Sequence, residues 1–350
     1  MRVIINQLKG GEKLEKDVQL ENGMIILPAG TVIKKDYILK LKEMKIFYVH
    51  IECENESIID PVIEEKIKQQ CQVVVKNTIE KYSYCGDVQL KEITKVAEDI
   101  MDDILSEPEV MYNVSCVRDR TESTYSHSIN VSALSVMLAI RLGLGEERVR
   151  DIAIGSLLHD IGLVYIPQYL LGKDLETCSE KQVKEIRSHV IIGYSVLERE
   201  KWLSNRAKEI ILSHHERCDG SGYPMRLRAN KLHLDTKIVA LCDEFDNQVY
   251  GSFTPKRKVK DVIEYLVSQA DAKFDFRVVK VFNESVAAYP NGTYVITSEN
   301  EVGIVVRQNE KMPIRPVIRM ITDADGHSYE QYVEKDLTKD LTLFIRDSIQ

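Results

Sequence analysis

Five of the eight histidines fall within residues 127–215, in an order that matters chemically. His127 stands at the start of a helical pattern, with Ser128, Ile129, Asn130 and Val131 after it. His159 and Asp160 close the apolar run at 152–158 and are followed by Ile161 and Gly162. His189 has Gly193 one helical turn later, His214 and His215 are adjacent, and Asp243 follows Leu241 and Cys242. Imidazole and carboxylate together suit iron, manganese, zinc and related divalent ions. A carboxylate beside a histidine can bridge two ions while its neighbour holds one. Two bridged ions can share a hydroxide of lowered pKa, a nucleophile for a phosphodiester. A lone histidine on an apolar helix is most often a satisfied core or surface residue. The ordered series His-Asp, His-x-x-x-Gly, His-His, Asp on successive helices points instead to a site.

His159-Asp160-Ile161-Gly162 resembles the motif that names the HD superfamily of metal phosphohydrolases. The run His214-His215-Glu216-Arg217-Cys218-Asp219-Gly220-Ser221-Gly222-Tyr223-Pro224 resembles the extended HD-GYP signature at every named position. Ile166-Pro167, His189-x-x-x-Gly193 and Asp243-x-x-Asp246 stand at the expected places around it. Over about residues 115–290 the chain is therefore similar to the HD-GYP family of cyclic-di-GMP phosphodiesterases.

The resemblance implies a mainly α fold, an HD-type helical bundle, and a centre of two divalent metal ions, iron or alternatively manganese. Carried over residue by residue, His127, His159, Asp160 and Asp243 hold one ion. Asp160 bridges to a second ion held by His189, His214 and His215, so that Asp160 and His159 form the catalytic pair. A metal-bridging hydroxide then attacks phosphorus in cyclic di-GMP, giving linear pGpG or GMP. Gly220, Gly222, Tyr223 and Pro224 shape a loop beside the pocket, with Tyr223 lining the guanine site. Asp246 and Lys256 complete the expected substrate-binding set, Asp246 from the metal-binding helix and Lys256 as a phosphate clamp.

Three departures from the family pattern stand out. Ser123 occupies the place of a third-metal glutamate, with Glu122 one position off, which favours two metals. Leu163 stands where the family has a lysine after its His-Asp-Ile-Gly. Ser252 and Pro255 stand near the positions of two arginines, with Lys256, Arg257 and Lys258 just beyond as either a solvated face or a replacement clamp. Fewer fixed cations weaken stabilisation of developing phosphoryl charge. The rival reading is a catalytically weak or inactive HD-GYP-like module that binds nucleotide or a protein partner in signalling. A hydrolase acting on another nucleotide is a further rival, disfavoured by Gly222-Tyr223-Pro224.

The elements that must position these residues follow from period and punctuation. Residues 1–55 read as a small mixed α/β module, with turn signals at Gly10-Gly11, Glu21-Asn22-Gly23 and Pro28-Ala29-Gly30. Short strands are expected at 24–27 and 46–49, and a short helix at 35–44. This module carries none of the chemical set and is expected to be regulatory, touching a signalling protein partner. Residues 56–289 form the helical phosphohydrolase domain. Ser179-x-x-Gln182 reads as a capping box opening the helix that carries His189, Ser204 opens another, and Asp235 caps a third. Glu146 and Glu147 sit at the favourable end of a helix dipole. Residues 290–350 form a β-rich extension with strands at 293–297, 302–306 and 317–321 and a turn at Asp325-Gly326.

Composition narrows the class. The net charge of −8 argues against duplex nucleic acid as the main partner, since no counterion-release affinity is gained. The seven cysteines (Cys53, Cys71, Cys85, Cys116, Cys178, Cys218, Cys242) form no Cys-x-x-Cys pair, as expected of reduced thiols in the cytoplasm. No run of about 18 apolar residues predicts a membrane span. His50, His233 and His327 lie outside the ordered set and read as surface or turn residues, and Trp202 as a packing residue.

Overall fold

A computed structural model describes the whole chain except residues 1, 6–7, 9, 15–16, 20–24, 45, 47, 51–64, 86–91, 107–111, 114–123, 252, 310–311, 330, 332 and 350. The expected turn at 21–23, together with Met24, Phe47, Cys53, Cys116, Glu122, Ser123 and Ser252, therefore lies outside the described residues. The chain divides into two units, Met1–Ile58 and Ile59–Gln350.

In the first unit, β1 (Arg2–Ile4), β2 (Val18–Gln19), β3 (Ile25–Leu27), α1 (Lys35–Glu43) and β4 (Tyr48–His50) follow one another. β1 pairs antiparallel with β4, and β2 with β3. Leu14, Ile33, Ile38, Leu41 and Val49 are buried together as its core.

The second unit begins with α2 (Glu65–Cys85), α3 (Glu92–Ser106), β5 (Tyr112–Asn113), α4 (Thr124–Arg141) and α5 (Glu146–Leu158). Short 3-10 turns at Ile161–Tyr165, Gln168–Leu170 and Leu175–Thr177 lead to α6 (Glu180–Arg187), α7 (His189–Leu197) and α8 (Asn205–Ser213). Then come α9 (Leu234–Tyr250), α10 (Val259–Ser268), α11 (Phe276–Ser285) and β6 (Val286–Ala287). Each helix buries one apolar stripe; α3, for instance, buries Ile93, Val96, Ala97, Ile100, Met101 and Ile104. α4 and α5 are the innermost, with Val131, Leu134, Leu138, Ile152, Ala153, Leu157 and Leu158 all buried.

Helix starts follow their caps. The Ser179 side chain accepts from the Gln182 N–H while Gln182 returns to the Ser179 backbone, a complete capping box. The Ser204 hydroxyl accepts from the Ala207 N–H. Two starts differ from expectation. His233, not Asp235, is the residue before α9; Asp235 lies inside the first turn, buried, with its carboxylate on Arg148 and near Arg206. A buried carboxylate is stabilised more by a guanidinium than by an end-of-helix role. The helix opened by Ser179 also stops at Arg187, and His189 opens a new helix after Ser188.

The chain ends in β7 (Tyr294–Thr297), β8 (Val302–Arg307), β9 (Val317–Thr322), β10 (Glu334–Asp336) and β11 (Ile345–Ile349). They form an antiparallel sheet in the order β10-β9-β8-β7-β11. Its inward residues Val295, Val305, Ile318 and Ile345 share one hydrophobic cluster with Val262 and Phe282 of the helices.

One close backbone approach decides the geometry of the bundle's interior. A Cβ on Gly162 would lie 1.9 Å from the His189 carbonyl oxygen and 2.8 Å from the Gly193 N. Gly193 in turn has the Gly162 N only 3.3 Å from its own Cβ position. The turn after Asp160 thus presses directly onto the first turn of α7, which only hydrogen-sized groups permit. Gly162→Ala should lower stability by about 1–3 kcal/mol, the usual cost of forcing one extra carbon into a packed interior. Urea unfolding measures it; an unchanged midpoint would show that the contact is looser than described.

Candidate metal centre

The side chains singled out on chemical grounds converge on one buried point. α4 contributes His127 from its first turn, and α5 ends at His159 with Asp160 just beyond. α7 begins at His189, α8 ends at His214 and His215, and α9 carries Asp243 at its middle. All are buried except His215, whose side chain is 17% exposed.

Asp160 stands at the junction. Its Oδ2 lies 3.4 Å from His159 Nε2 and 3.7 Å from His127 Nε2. Its Oδ1 lies 3.3 Å from His189 Nε2 and 3.8 Å from His214 Nε2. Asp243 places Oδ1 3.1 Å from His127 Nε2 and 3.7 Å from His159 Nε2, and Oδ2 3.4 Å from His215 Nδ1. Two groups able to hold a cation result: His127, His159 and Asp160 in one, and Asp160, His189, His214 and His215 in the other. Asp160 belongs to both.

The backs of the imidazoles explain their orientation. His159 Nδ1 lies 2.6 Å from the Ser156 carbonyl, His189 Nδ1 2.7 Å from that of Ile186, and His214 Nδ1 3.1 Å from that of Ile211. A carbonyl only accepts, so each Nδ1 carries the proton, and in the neutral ring Nε2 presents a lone pair. His127 Nδ1 lies 2.6 Å from Asp246 Oδ2 instead, a carboxylate behind a histidine. The front nitrogens then face one another: His127 and His159 Nε2 are 3.2 Å apart, and His189 and His214 Nε2 3.4 Å apart. Opposed lone pairs repel unless a proton or a metal cation lies between them. The Asp243 Oδ2 is also buried without a hydrogen-bond partner. This donor set fits divalent metal ions, whose open valences are lone pairs of this kind.

The electrostatics agree. Burial pushes the Asp160 carboxyl up, but the imidazoles of His159, His189 and His127 outweigh it and hold it well below the usual carboxylate range. Burial likewise opposes ionisation of Asp243, and His215, His127 and His159 overcome it. Burial, then the neighbouring His159, brings His214 down to about 3; His215 is also pushed well down, by burial and then by His214. Both are therefore neutral, with lone pairs available. His127 behaves oppositely: burial pulls it down, yet its hydrogen bonds to the Asp243 and Asp246 carboxylates carry it up to about 10. Two buried carboxylates demand compensating positive charge, and without a metal the proton on His127 supplies part of it.

The loop at 216–228 folds over this cluster. Glu216 is buried and accepts from the backbone N–H groups of Met225 (2.6 Å) and Leu227 (2.9 Å), which fixes the loop's return. The Gly220 N–H donates to the Arg217 carbonyl at 2.8 Å, and the Tyr223-Pro224 peptide is cis. A Cβ on Gly222 would sit 2.4 Å from the Glu216 Cα, so the loop lies flat on its own stem. Tyr223 consequently stacks on His215, centroids 4.7 Å apart at 24°.

Asp246 and Lys256, two of the expected substrate residues, differ in their surroundings. Asp246 is buried behind His127, with its second oxygen accepting from Asn130 Nδ2 at 3.1 Å, so it orients a metal-facing ring rather than reaching outward. Its position three residues past Asp243 turns it around α9 toward α4. Lys256 is exposed on the segment before α10; its neighbour Arg257 donates to Gln248 Oε1 at 2.6 Å and Lys258 pairs with Asp347 at 2.7 Å. The basic run is thus tied largely to the helix and sheet around it. Leu163 is buried in a small apolar cluster with Ile166, Leu170 and Ile186, against which Phe253 packs. Sequence reading missed two contacts. Asn247 donates to Asp243 Oδ1 at 2.7 Å, and the Arg187 guanidinium lies 5.0 Å from the Tyr223 ring centroid. Asn247 follows Asp243 by one helical turn, a spacing that could have flagged it.

Residues 105–278 match the family model of the HD domain, and residues 294–350 that of the KOW domain associated with HD domain. The chain is 28% identical over 270 residues to cyclic di-GMP phosphodiesterase PA4108 of Pseudomonas aeruginosa, covering 75% of this chain and 64% of that protein. It is 30% identical over 239 residues to 3'3'-cGAMP-specific phosphodiesterase 2 of Vibrio cholerae, covering 66% of this chain and 44% of that one. The chain thus spans less than two thirds of the length of these relatives. Bd1817, a HDG"Y"P protein from Bdellovibrio bacteriovorus, shares the fold with a TM-score of 0.52 at 19% identity, over 81% of this chain and 98% of that one. Residues 105–278 of the chain thus belong to the HD domain family, and the Gly222-Tyr223-Pro224 loop that folds beside the imidazole-carboxylate cluster is similar to the HD-GYP signature.

Proposed function

We propose that this chain is a metal-dependent phosphodiesterase that hydrolyses cyclic di-GMP to linear pGpG or GMP. One observation carries the reading: Asp160 directs one oxygen to each of two sets of buried, lone-pair-bearing imidazoles. The relative named for cyclic di-GMP supports the substrate. Two divalent ions, iron or manganese, would supply Lewis acidity and a water of lowered pKa. His127, His159, Asp160 and Asp243 would hold one, and Asp160, His189, His214 and His215 the other. Asp246 keeps His127 in the tautomer that faces the cluster, and Asn247 steadies Asp243. Tyr223, stacked on His215, walls the cluster from water and offers its edge to a base. Residues 1–55 act as the input module for a signalling partner, 56–289 as the hydrolase and 290–350 as its β extension, in the cytoplasm. No helix among the described residues is long and apolar enough to cross a membrane.

A second reading, a nucleotide-binding module with weak or no turnover, is favoured by Leu163. That side chain is buried among aliphatic neighbours where a phosphate-facing cation was expected.

Metal loading tests the ligand set directly. His127, carried up to about 10, is protonated at pH 7 in the metal-free protein and must lose that proton to offer Nε2. Adding manganese to the metal-free chain at pH 7 should release about one proton or more per chain, with affinity rising as pH rises toward 10. Loading without acid release, measured by pH-stat, would show that His127 carries no proton to give up when the metal binds.

Turnover is then measured on anaerobically purified, metal-loaded protein with cyclic di-GMP and 3'3'-cGAMP side by side. The expected result is hydrolysis preferring cyclic di-GMP, lost together with metal in Asp160→Ala. Asp246→Asn, acting only through His127, should cost about 10- to 100-fold in metal affinity or activity. Metal and nucleotide binding without turnover would establish the second reading, and absence of metal after reconstitution would defeat both.

A further inference from the structure

Leu163 stands where the family pattern has a lysine, and the structure shows what surrounds it. Leu163 lies in an apolar cluster against which Phe253 packs, and the Leu175 N–H donates to the Phe253 carbonyl at 3.0 Å. Of the other basic side chains around the site, Arg217 is paired with Glu244, Arg257 with Gln248 and Lys258 with Asp347. Arg187 differs from these. It is exposed, and among the described residues no carboxylate pairs with it. Yet it does not wave in solvent, because its guanidinium lies over the Tyr223 ring, 5.0 Å from the centroid. A cation over an aromatic face is held by the ring quadrupole while its N–H donors stay open.

Its place in the chain is equally constrained. Arg187 is the last residue of α6, separated by Ser188 alone from His189. Ser188 is fixed in turn, its N–H donating to the Lys184 and Glu185 carbonyls and its hydroxyl to Glu185 O at 2.6 Å. Tyr223 carries the guanidinium outward from the cluster by one ring, since its own ring lies against those of His215 and His189. A cyclic dinucleotide has two phosphodiesters. When one lies at the imidazole-carboxylate cluster, the other must find its counter-charge away from it.

We infer that Arg187 grips the phosphodiester of the cyclic dinucleotide that is not being cleaved, a cation where Leu163 offers none. The inference rests on the phosphodiesterase reading for the identity of the ligand, but not on turnover. A guanidinium suits this task because its planar fork meets two phosphate oxygens at once.

The test is equilibrium binding of a slowly hydrolysed phosphorothioate analogue of cyclic di-GMP to the manganese-loaded full chain. Arg187→Ala should weaken binding about 10- to 100-fold, the value of charged hydrogen bonds to a phosphate. Metal content and helical content should stay at wild-type values, Arg187→Lys should recover part of the loss, and GMP, with one phosphate, should lose less. An affinity within about twofold of wild type, below the worth of one hydrogen bond, would overturn the inference. An equal loss for GMP would overturn it as well. Turnover of cyclic di-GMP is recorded separately. A wild-type chain that binds through Arg187 without hydrolysis would defeat the phosphodiesterase reading and leave this one standing, whereas a wild-type chain that binds no dinucleotide would defeat both.

Discussion

A carboxylate that is 8% exposed and faces four imidazoles is the constraint from which the rest of this structure follows. Burying a charge is costly unless paired charges or hydrogen bonds compensate it. Asp160 receives its compensation from both sides, and that requires α4, α5, α7 and α8 to end or begin at one point. Helix ends are where a chain can aim a side chain without its own helix in the way. His159 and His214 lie at C-termini, His189 at an N-terminus and His127 in a first turn. The bundle's core, with Leu134, Leu157, Ile210 and Leu241 fully buried, holds these ends in register.

A second layer of contacts makes the first one usable. The rings of His127, His159, His189 and His214 each have the rear nitrogen tied to a carbonyl or a carboxylate, so their rotation is fixed by the fold itself. The ties to Ser156, Ile186 and Ile211 run three residues back along the chain, so they follow from the local helical turn. The tie to Asp246 comes from a different helix and depends on α4 packing against α9. A local tie forms as soon as its turn forms; a tertiary one requires the finished bundle.

That difference also marks what was legible in the sequence. The helices and the C-terminal strands were readable from period and caps, and the His-Asp and His-His dyads announced themselves because neighbours in sequence remain neighbours at a helix end. The break at Ser188 was not readable: Ile186, Val190 and Leu197 continue an apolar pattern across it, and the turn is set by the tertiary press of Gly162 on His189. Asp235 looked like a cap because its type and place suit one. Its buried pairing with Arg148 depends on α5 and α9 meeting, which no local pattern encodes. The bond from His127 to Asp246 likewise depends on α4 and α9 meeting. Arg187 was invisible because its partner, Tyr223, lies far along the chain on a loop whose path is set by Glu216.

The departure at Leu163 is explained by what surrounds that side chain. A lysine at 163 would need its ammonium in water or on an anion, whereas Leu163 packs inward beside Ile166 and Ile186. Phe253 on the segment after α9 packs against the same cluster, and the backbone bond from Leu175 closes the contact. One cation position has thus been exchanged for an apolar clasp joining the turn after Asp160 to the segment after α9. Such an exchange adds rigidity at the rim, since an aliphatic contact needs no solvent and is indifferent to salt. It removes positive charge from the same rim. A phosphorylated ligand must then draw its affinity from the buried cluster and from whatever guanidinium remains open beside it, so binding and any turnover depend more heavily on the metal-facing imidazoles than they would in a pocket lined with lysine and arginine.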